Sequence, residues 1–258
     1  MGRRRMLIGN WKMHKTVAQA RQFAEGLAAQ SQALSDDIDF AVCPPFTALQ
    51  VLRVVLPSRV KTGAQNMHYA DDGAFTGEIA PAMVKETGAT YVVLGHSERR
   101  HVFGETDALI AKKVAAAVVN ELTPILCVGE DQGQREAGDT LAVVEAQTVS
   151  GLAELTLQQV NGVVIAYEPV WAIGSGITPS PEDAEGVIAH IRQVISAHYG
   201  NATAEGVRIL YGGSVKPANI ADFMKQPNID GALVGGASLE PDSFVQMAVA
   251  MEEGNGND

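Results

Sequence analysis

Eight short runs of almost unbroken apolar residues recur along this chain, and that repetition constrains its fold more than any other feature. The runs are Met6–Ile8, Phe40–Cys43, Val60–Ala64, Tyr91–Leu94, Ile125–Val128, Val163–Tyr167, Val207–Tyr211 and Ala232–Val234. Continuous rather than alternating apolarity marks strands covered on both faces, as in a parallel sheet. Between the runs lie stretches of helical periodicity at 16–29, 46–56, 80–86, 106–120, 140–152, 181–198, 217–225 and 241–250. Thr16 with Gln19 fits a capping box, and Ser180-Pro181-Glu182-Asp183 reads as a cap, a first-turn proline and two acids on the positive helix end. Strand then helix, repeated eight times with short connections, predicts an α/β chain whose parallel strands close into a (β/α)8 TIM barrel. An open doubly wound sheet is the rival, but its Gly-x-Gly-x-x-Gly turn after a strand is absent.

No linker or shift in composition divides the 258 residues, so the reading is one barrel domain over 1–258, with flexible ends at 1–5 and 252–258. Hydrophobic residues at 46% and charged residues at 19% exclude a disordered or coiled-coil chain. The formal net charge of −11 argues against nucleic acid and against an anionic membrane surface, since both demand a basic face. An anionic ligand would need local positive potential. Cys43 and Cys127 stand far apart in apolar runs, which suits neither a disulfide scaffold nor a zinc site and predicts a cytoplasmic setting. The basic start at Met1–Arg5 precedes an apolar run too short for a signal-peptide core, and no apolar stretch is long enough to span a membrane.

In a closed barrel the reactive groups collect where the strands end, because the loops that follow form one shared rim. Gly9-Asn10-Trp11-Lys12 follows the first run, Gln65-Asn66 the third, Gly95-His96-Ser97-Glu98-Arg99 the fourth, and Glu168-Pro169 the sixth. Gly212-Gly213-Ser214 and Gly235-Gly236 follow the last two. Lysine, histidine and glutamate therefore converge with two glycine-rich turns. A carboxylate can remove a proton from carbon beside a carbonyl if a neighbour stabilises the enediolate oxygen. His96 can donate to that oxygen, Lys12 supplies positive field, and the glycine turns offer bare N–H groups to a phosphate. Neither a metal nor another cofactor is required. Taken singly, each residue also has an ordinary structural role, and it is their joint place on one rim that points to chemistry.

Asn10-Trp11-Lys12-Met13, Gly95-His96-Ser97-Glu98-Arg99-Arg100, Ala166-Tyr167-Glu168-Pro169-Val170-Trp171-Ala172-Ile173-Gly174, Tyr211-Gly212-Gly213-Ser214-Val215 and Leu233-Val234-Gly235-Gly236-Ala237-Ser238-Leu239 together resemble the triosephosphate isomerase family. The resemblance runs over nearly the whole chain. It implies interconversion of dihydroxyacetone phosphate and D-glyceraldehyde 3-phosphate, with Glu168 as base, His96 as a neutral imidazole below a helix N-terminus, and Lys12 balancing negative charge. It further implies a polar contact from Asn10, positioning of Lys12 by Glu98, and phosphate contacts from Gly174, Ser214, Gly235 and Gly236. Pro169-Val170-Trp171-Ala172-Ile173-Gly174-Ser175-Gly176-Ile177-Thr178-Pro179 would be the lid that excludes water. Ile173 and Leu233 would raise the basicity of Glu168 by desolvation. Many relatives carry Thr and Lys in place of Ser175 and Ile177, and often Ala in place of Pro179, whose ring fixes one hinge torsion. Gln65 to Glu78 resembles the loop that family members insert into a twin subunit, which implies a homodimer with Thr76 near the neighbour's Asn10 and Lys12.

Three other readings are weaker. A serine hydrolase elbow around Ser97 would need glycine where Arg99 stands. Another phosphate-binding barrel isomerase leaves the Glu-Pro-Val-Trp string unexplained. An inactive barrel scaffold fits poorly with retention of Lys12, His96 and Glu168 together.

Overall fold

The computed structural model describes residues 3–173 and 178–253. Eight parallel strands close into a barrel in chain order: β1 (Arg5–Asn10), β2 (Ile38–Cys43), β3 (Val60–Ala64), β4 (Tyr91–Leu94), β5 (Thr123–Val128), β6 (Val164–Tyr167), β7 (Arg208–Tyr211) and β8 (Gly231–Val234). The seam pairs Met6 through Gly9 of β1 with Gly231 through Val234 of β8. Gly231 is required there. It adopts φ 154°, and a Cβ on it would strike the Met6 carbonyl oxygen. Among the described residues, no helix is long and apolar enough to cross a membrane.

The outer helices start where the sequence signals them. Thr16 and Gln19 form the capping box of Val17–Ala29, and Ser180 accepts the Asp183 amide hydrogen at the head of Pro181–Tyr199. The stretch at 217–225 contracts to Ile220–Met224. Gln132–Glu136, Leu157–Val160 and Asn201–Gly206 are helical turns too short to display a period.

Alternation along each strand sorts the core into two shells. Leu7, Val92, Leu126, Ile165 and Ile209 pack with the helices, whereas Met6, Ile8, Val93, Cys127, Ala166 and Leu210 form a separate cluster that fills the barrel. Cys43 and Cys127 both lie in this inner cluster as buried thiols, and burial pushes the Cys43 thiol up to about 12. Two residues beyond the inner shell, the same parity delivers Glu168 above Ala166, Gly212 above Leu210 and Gly235 above Leu233. Asn10 stands above Ile8 in the same way. The inward phase of the strands thus fixes which side chains reach the rim.

The opposite mouth is held by contacts of the first and last described residues. Arg5 opens β1, and the last helix runs from Pro241 to Glu253, so residues 3–5, 252 and 253 are tied into the fold. Arg3 Nε donates to Asp230 at 2.6 Å, and its other nitrogens reach Glu205 and the Pro227 carbonyl. Arg4 pairs with Asp39, and Arg5 donates to the carbonyls of Met224 and Met251 near the ends of two helices. Met1, Gly2 and residues 254–258 lie outside the described residues. Asp230 is the hub: it also accepts from buried Arg192 at 2.8 Å and from the Ile209 amide at 2.8 Å. Asp230→Ala strands the Arg192 guanidinium in the interior. The expected cost is about 3–5 kcal/mol, read as a thermal midpoint lower by roughly 10 °C, with kcat of the folded fraction unchanged.

Candidate active site

Glu168 follows β6 and is buried to 3% exposure, which is unusual for an ionisable side chain with so many apolar neighbours. Its seat is cut by two glycines just past the ends of the adjoining strands. A Cβ on Gly212 would lie 2.8 Å from Glu168 Cγ, and one on Gly129 would collide with the Glu168 carbonyl oxygen. The carboxylate spans two donors: Oε2 accepts the Ser97 amide hydrogen at 2.9 Å, and Oε1 lies 3.0 Å from His96 Nε2.

His96 is itself the cap of helix Ser97–His101, and its Nδ1 accepts the Glu98 amide hydrogen at 3.2 Å. Spending Nδ1 as an acceptor places the ring proton on Nε2, facing the cavity. Lys12 stands opposite, with Nζ 2.8 Å from Glu98 Oε1. Its backbone occupies the left-handed region at φ 53°, which costs a non-glycine residue about 1–2 kcal/mol. Two side chains hold it there. Asn10 Oδ1 accepts the Lys12 amide hydrogen at 3.1 Å, and Gln65 Nε2 donates to the Lys12 carbonyl at 2.8 Å and to the Cys43 carbonyl at 2.9 Å.

Asn10, Lys12, His96 and Glu168 line one cavity of about 310 Å³, closed on the far side by Gly212, Ser214, Gly235 and Gly236, and walled by Ile173 and Leu233. Pro169 to Ile173 leave β6 through a short 3-10 turn at Val170–Ala172. Glu130, fully buried, anchors that turn: its carboxylate accepts from Trp171 Nε1 at 2.8 Å and from the Tyr167 hydroxyl, and its carbonyl accepts the Val170 amide hydrogen. Arg135 lies over the Trp171 ring at 4.0 Å.

Burial disfavours the charged form of Glu168 and by itself would raise its pKa. The His96 ring, the Ser97 amide and Lys12 outweigh burial and hold the carboxyl below its ordinary value. Desolvation still acts upward, as the largest single influence, and it is the sum of the opposing contacts that carries the net direction down. His96 shows the mirror image. Burial disfavours the imidazolium, yet the Glu168 and Glu98 carboxylates draw its pKa above the ordinary value. The Glu98 amide opposes them, because a second ring proton on Nδ1 would set two N–H groups head to head.

The whole chain bears comparison with known proteins. The family model for triosephosphate isomerase matches residues 5–251. The triosephosphate isomerase of Herpetosiphon aurantiacus is 54% identical over 246 residues, covering 95% of this chain and 98% of that one. Those of Roseiflexus sp. (strain RS-1) and Carboxydothermus hydrogenoformans are 52% and 51% identical, each over 94% of this chain and 95% and 96% of their own. The chain belongs to the triosephosphate isomerase family.

Within this triosephosphate isomerase fold, the residues read from the sequence meet: Asn10, Lys12, His96, Glu168, Ser214, Gly235 and Gly236 share the cavity, and Glu98 touches Lys12 from beside it. The Ser214 hydroxyl donates to the Ala172 carbonyl at 3.3 Å, which links the glycine turn to the Val170–Ala172 turn. Of the segment expected to act as a lid, Gly174, Ser175, Gly176 and Ile177 lie outside the described residues, whereas Thr178 is exposed and Pro179 buried. Sequence reading passed over Gly129, Glu130 and the role of Gln65. Gly129-Glu130 follows β5 directly, so the strand-end filter applied to every strand would have found the first two. Gln65 was found at its strand end without its task.

The coupling of the pair gives a measurable sign. With Glu168→Gln, the largest influence raising the His96 pKa disappears while the Glu98 amide stays. The His96 imidazole, followed by NMR of the ring nitrogens, is expected to titrate at lower pH in the variant than in the natural chain, with the neutral Nε2–H tautomer in both. An unchanged titration would refute the pairing.

Proposed function

We propose that this chain interconverts dihydroxyacetone phosphate and D-glyceraldehyde 3-phosphate, with Glu168 moving the proton between the two carbons. The observation that carries this reading is the convergence of a buried carboxylate, an Nε2–H imidazole and a lysine on one cavity floored by glycine turns. The phosphate would sit against the backbone N–H groups of Gly235 and Gly236 near Ser214, with Gly174 of the lid completing its contacts. His96 Nε2–H would then face the carbonyl oxygen and stabilise the negative charge that develops on it, with Lys12 adding field in a site from which water is excluded.

Glu168 must leave the Ser97 amide and the imidazole to reach a substrate carbon. That departure removes the influences that depress its pKa and leaves burial, which raises it. Basicity therefore rises as the carboxylate turns to its work. The same departure releases His96 Nε2 for the substrate. The Val170–Ala172 turn hangs on Glu130 and is covalently continuous with Glu168 through Pro169, so lid motion and rotation of the base are mechanically linked.

The assay compares the natural chain with Glu168→Gln purified from the same host, following formation of dihydroxyacetone phosphate from D-glyceraldehyde 3-phosphate. Turnover is expected to fall by about 10³-fold or more, within the range for loss of a positioned general base. Equal rates in the two preparations would remove the isomerase assignment and return the inactive-scaffold reading.

The assembly follows as a homodimer through the Gln65–Glu78 loop, with Thr76 reaching toward the neighbour's Asn10 and Lys12. Support comes from a second concavity of about 270 Å³ beside Lys12, lined by the exposed apolar side chains of Met13, Phe46 and Phe103. A convex loop and an apolar hollow on one chain suit a two-fold pairing, in which each loop fills the other copy's hollow. Reduced, buried Cys43 and Cys127 support a cytoplasmic setting. The natural chain is expected to sediment at twice the chain mass and to lose specific activity on dilution, in step with dissociation. Full activity in a stable monomer would overturn the dimer.

A further inference from the structure

Residues 71–78 of the Gln65–Glu78 loop are all exposed, and the stretch between β3 and helix Pro81–Glu86 has no ladder to hold it. A segment of this kind loses backbone freedom when it docks, and the loss weakens binding unless it has been taken beforehand. This loop carries internal packing that does so. The His68 ring is sandwiched between Tyr69, at 4.4 Å between centroids, and Phe75, at 4.2 Å. His68 Nδ1 accepts the Ala70 amide hydrogen at 3.0 Å, and the His68 amide donates to the Ile79 carbonyl at 2.8 Å, so the base of the loop is pinned by the same residue. Lys112, on helix Asp107–Val119, lies over the Tyr69 ring at 5.4 Å and ties the stack to the barrel. Phe75 immediately precedes Thr76, and the Glu78 amide bonds back to the Phe75 carbonyl at 3.0 Å. The position of the Phe75 ring therefore sets where Thr76 points.

We propose that His68 is the keystone that shapes the inserted loop before a second copy of this chain arrives, and so governs dimer affinity and the supply of Thr76 to the neighbouring site. The inference rests on the homodimer reading. It adds that the loop docks as a preformed key rather than folding on contact. His68 touches no reacting atom. It is a positioning residue that acts through Phe75.

The test measures the dimer dissociation constant by sedimentation over a dilution series for the natural chain, His68→Ala and His68→Phe. The alanine variant removes both ring contacts and is expected to dimerise about tenfold more weakly or worse, as fits the loss of two ring pairs. The phenylalanine variant keeps the stack without the Nδ1 acceptor and is expected to fall within about threefold of the natural chain. Association rates should drop in the alanine variant. Natural affinity in His68→Ala, or affinity in His68→Phe as weak as in the alanine variant, would overturn the keystone. A natural chain that stays monomeric and fully active would overturn the dimer reading itself, which is a separate result read from the unmutated protein.

Discussion

Closure of β8 onto β1 is the constraint on which the rest of this molecule depends. An open sheet has two edges and two faces, and its strand ends fan apart with the twist. Once the seam from Met6 to Gly9 pairs with that from Gly231 to Val234, every strand end is brought to one ring. The inward phase of each strand is then shared by all, because slipping one strand by a residue would turn its inner side chains out. Gly231 admits this closure by having no side chain where the Met6 carbonyl passes. The position of Glu168 between Gly129 and Gly212, at the end of β6, is a consequence two strands away from β8.

Positioning above the ring is layered. Asn10 and Gln65 have no basic or acidic function, yet they hold the backbone of Lys12 in a conformation it would not choose. The Ser97 and Glu98 amides at the start of one short helix serve two different groups, the Glu168 carboxylate and His96 Nδ1. One helical turn therefore orients both the Glu168 carboxylate and the His96 imidazole. Glu130 does the same for the segment after β6, since one buried carboxylate receives both Tyr167 from β6 and Trp171 from the 3-10 turn that follows it.

Most of the barrel was legible in the sequence because continuous apolar runs and strand-end residues are local signals. Six of the runs needed only their edges moved by one or more residues, and the runs at Val60–Ala64 and Tyr91–Leu94 appear unchanged as β3 and β4. The site residues were legible for the same reason: Asn10, His96, Glu168 and Gly235 stand within two residues of a strand end. What could not be read were quantities that depend on distance across the barrel. The direction of the Glu168 shift turns on a 3.0 Å contact with His96, which is 72 positions away in the chain. The partners of the first residues were out of sight for a related cause. Arg3, Arg4 and Arg5 look like a solvated basic run until their partners at Asp230, Asp39 and two helix ends come into reach.

The ionic hub around Asp230 lies at the mouth opposite the candidate site, and this separation has a bearing on how the protein can change over generations. Arg3, Arg192, Glu205 and Asp230 are all distinct from the residues that line the cavity of Lys12, His96 and Glu168. A lineage moving to a warmer or cooler habitat could revise Arg3, Glu205 or Arg4 without renegotiating the geometry of Glu168, and the two sets of residues can drift at different speeds. The barrel thus offers selection two nearly independent dials on one small scaffold.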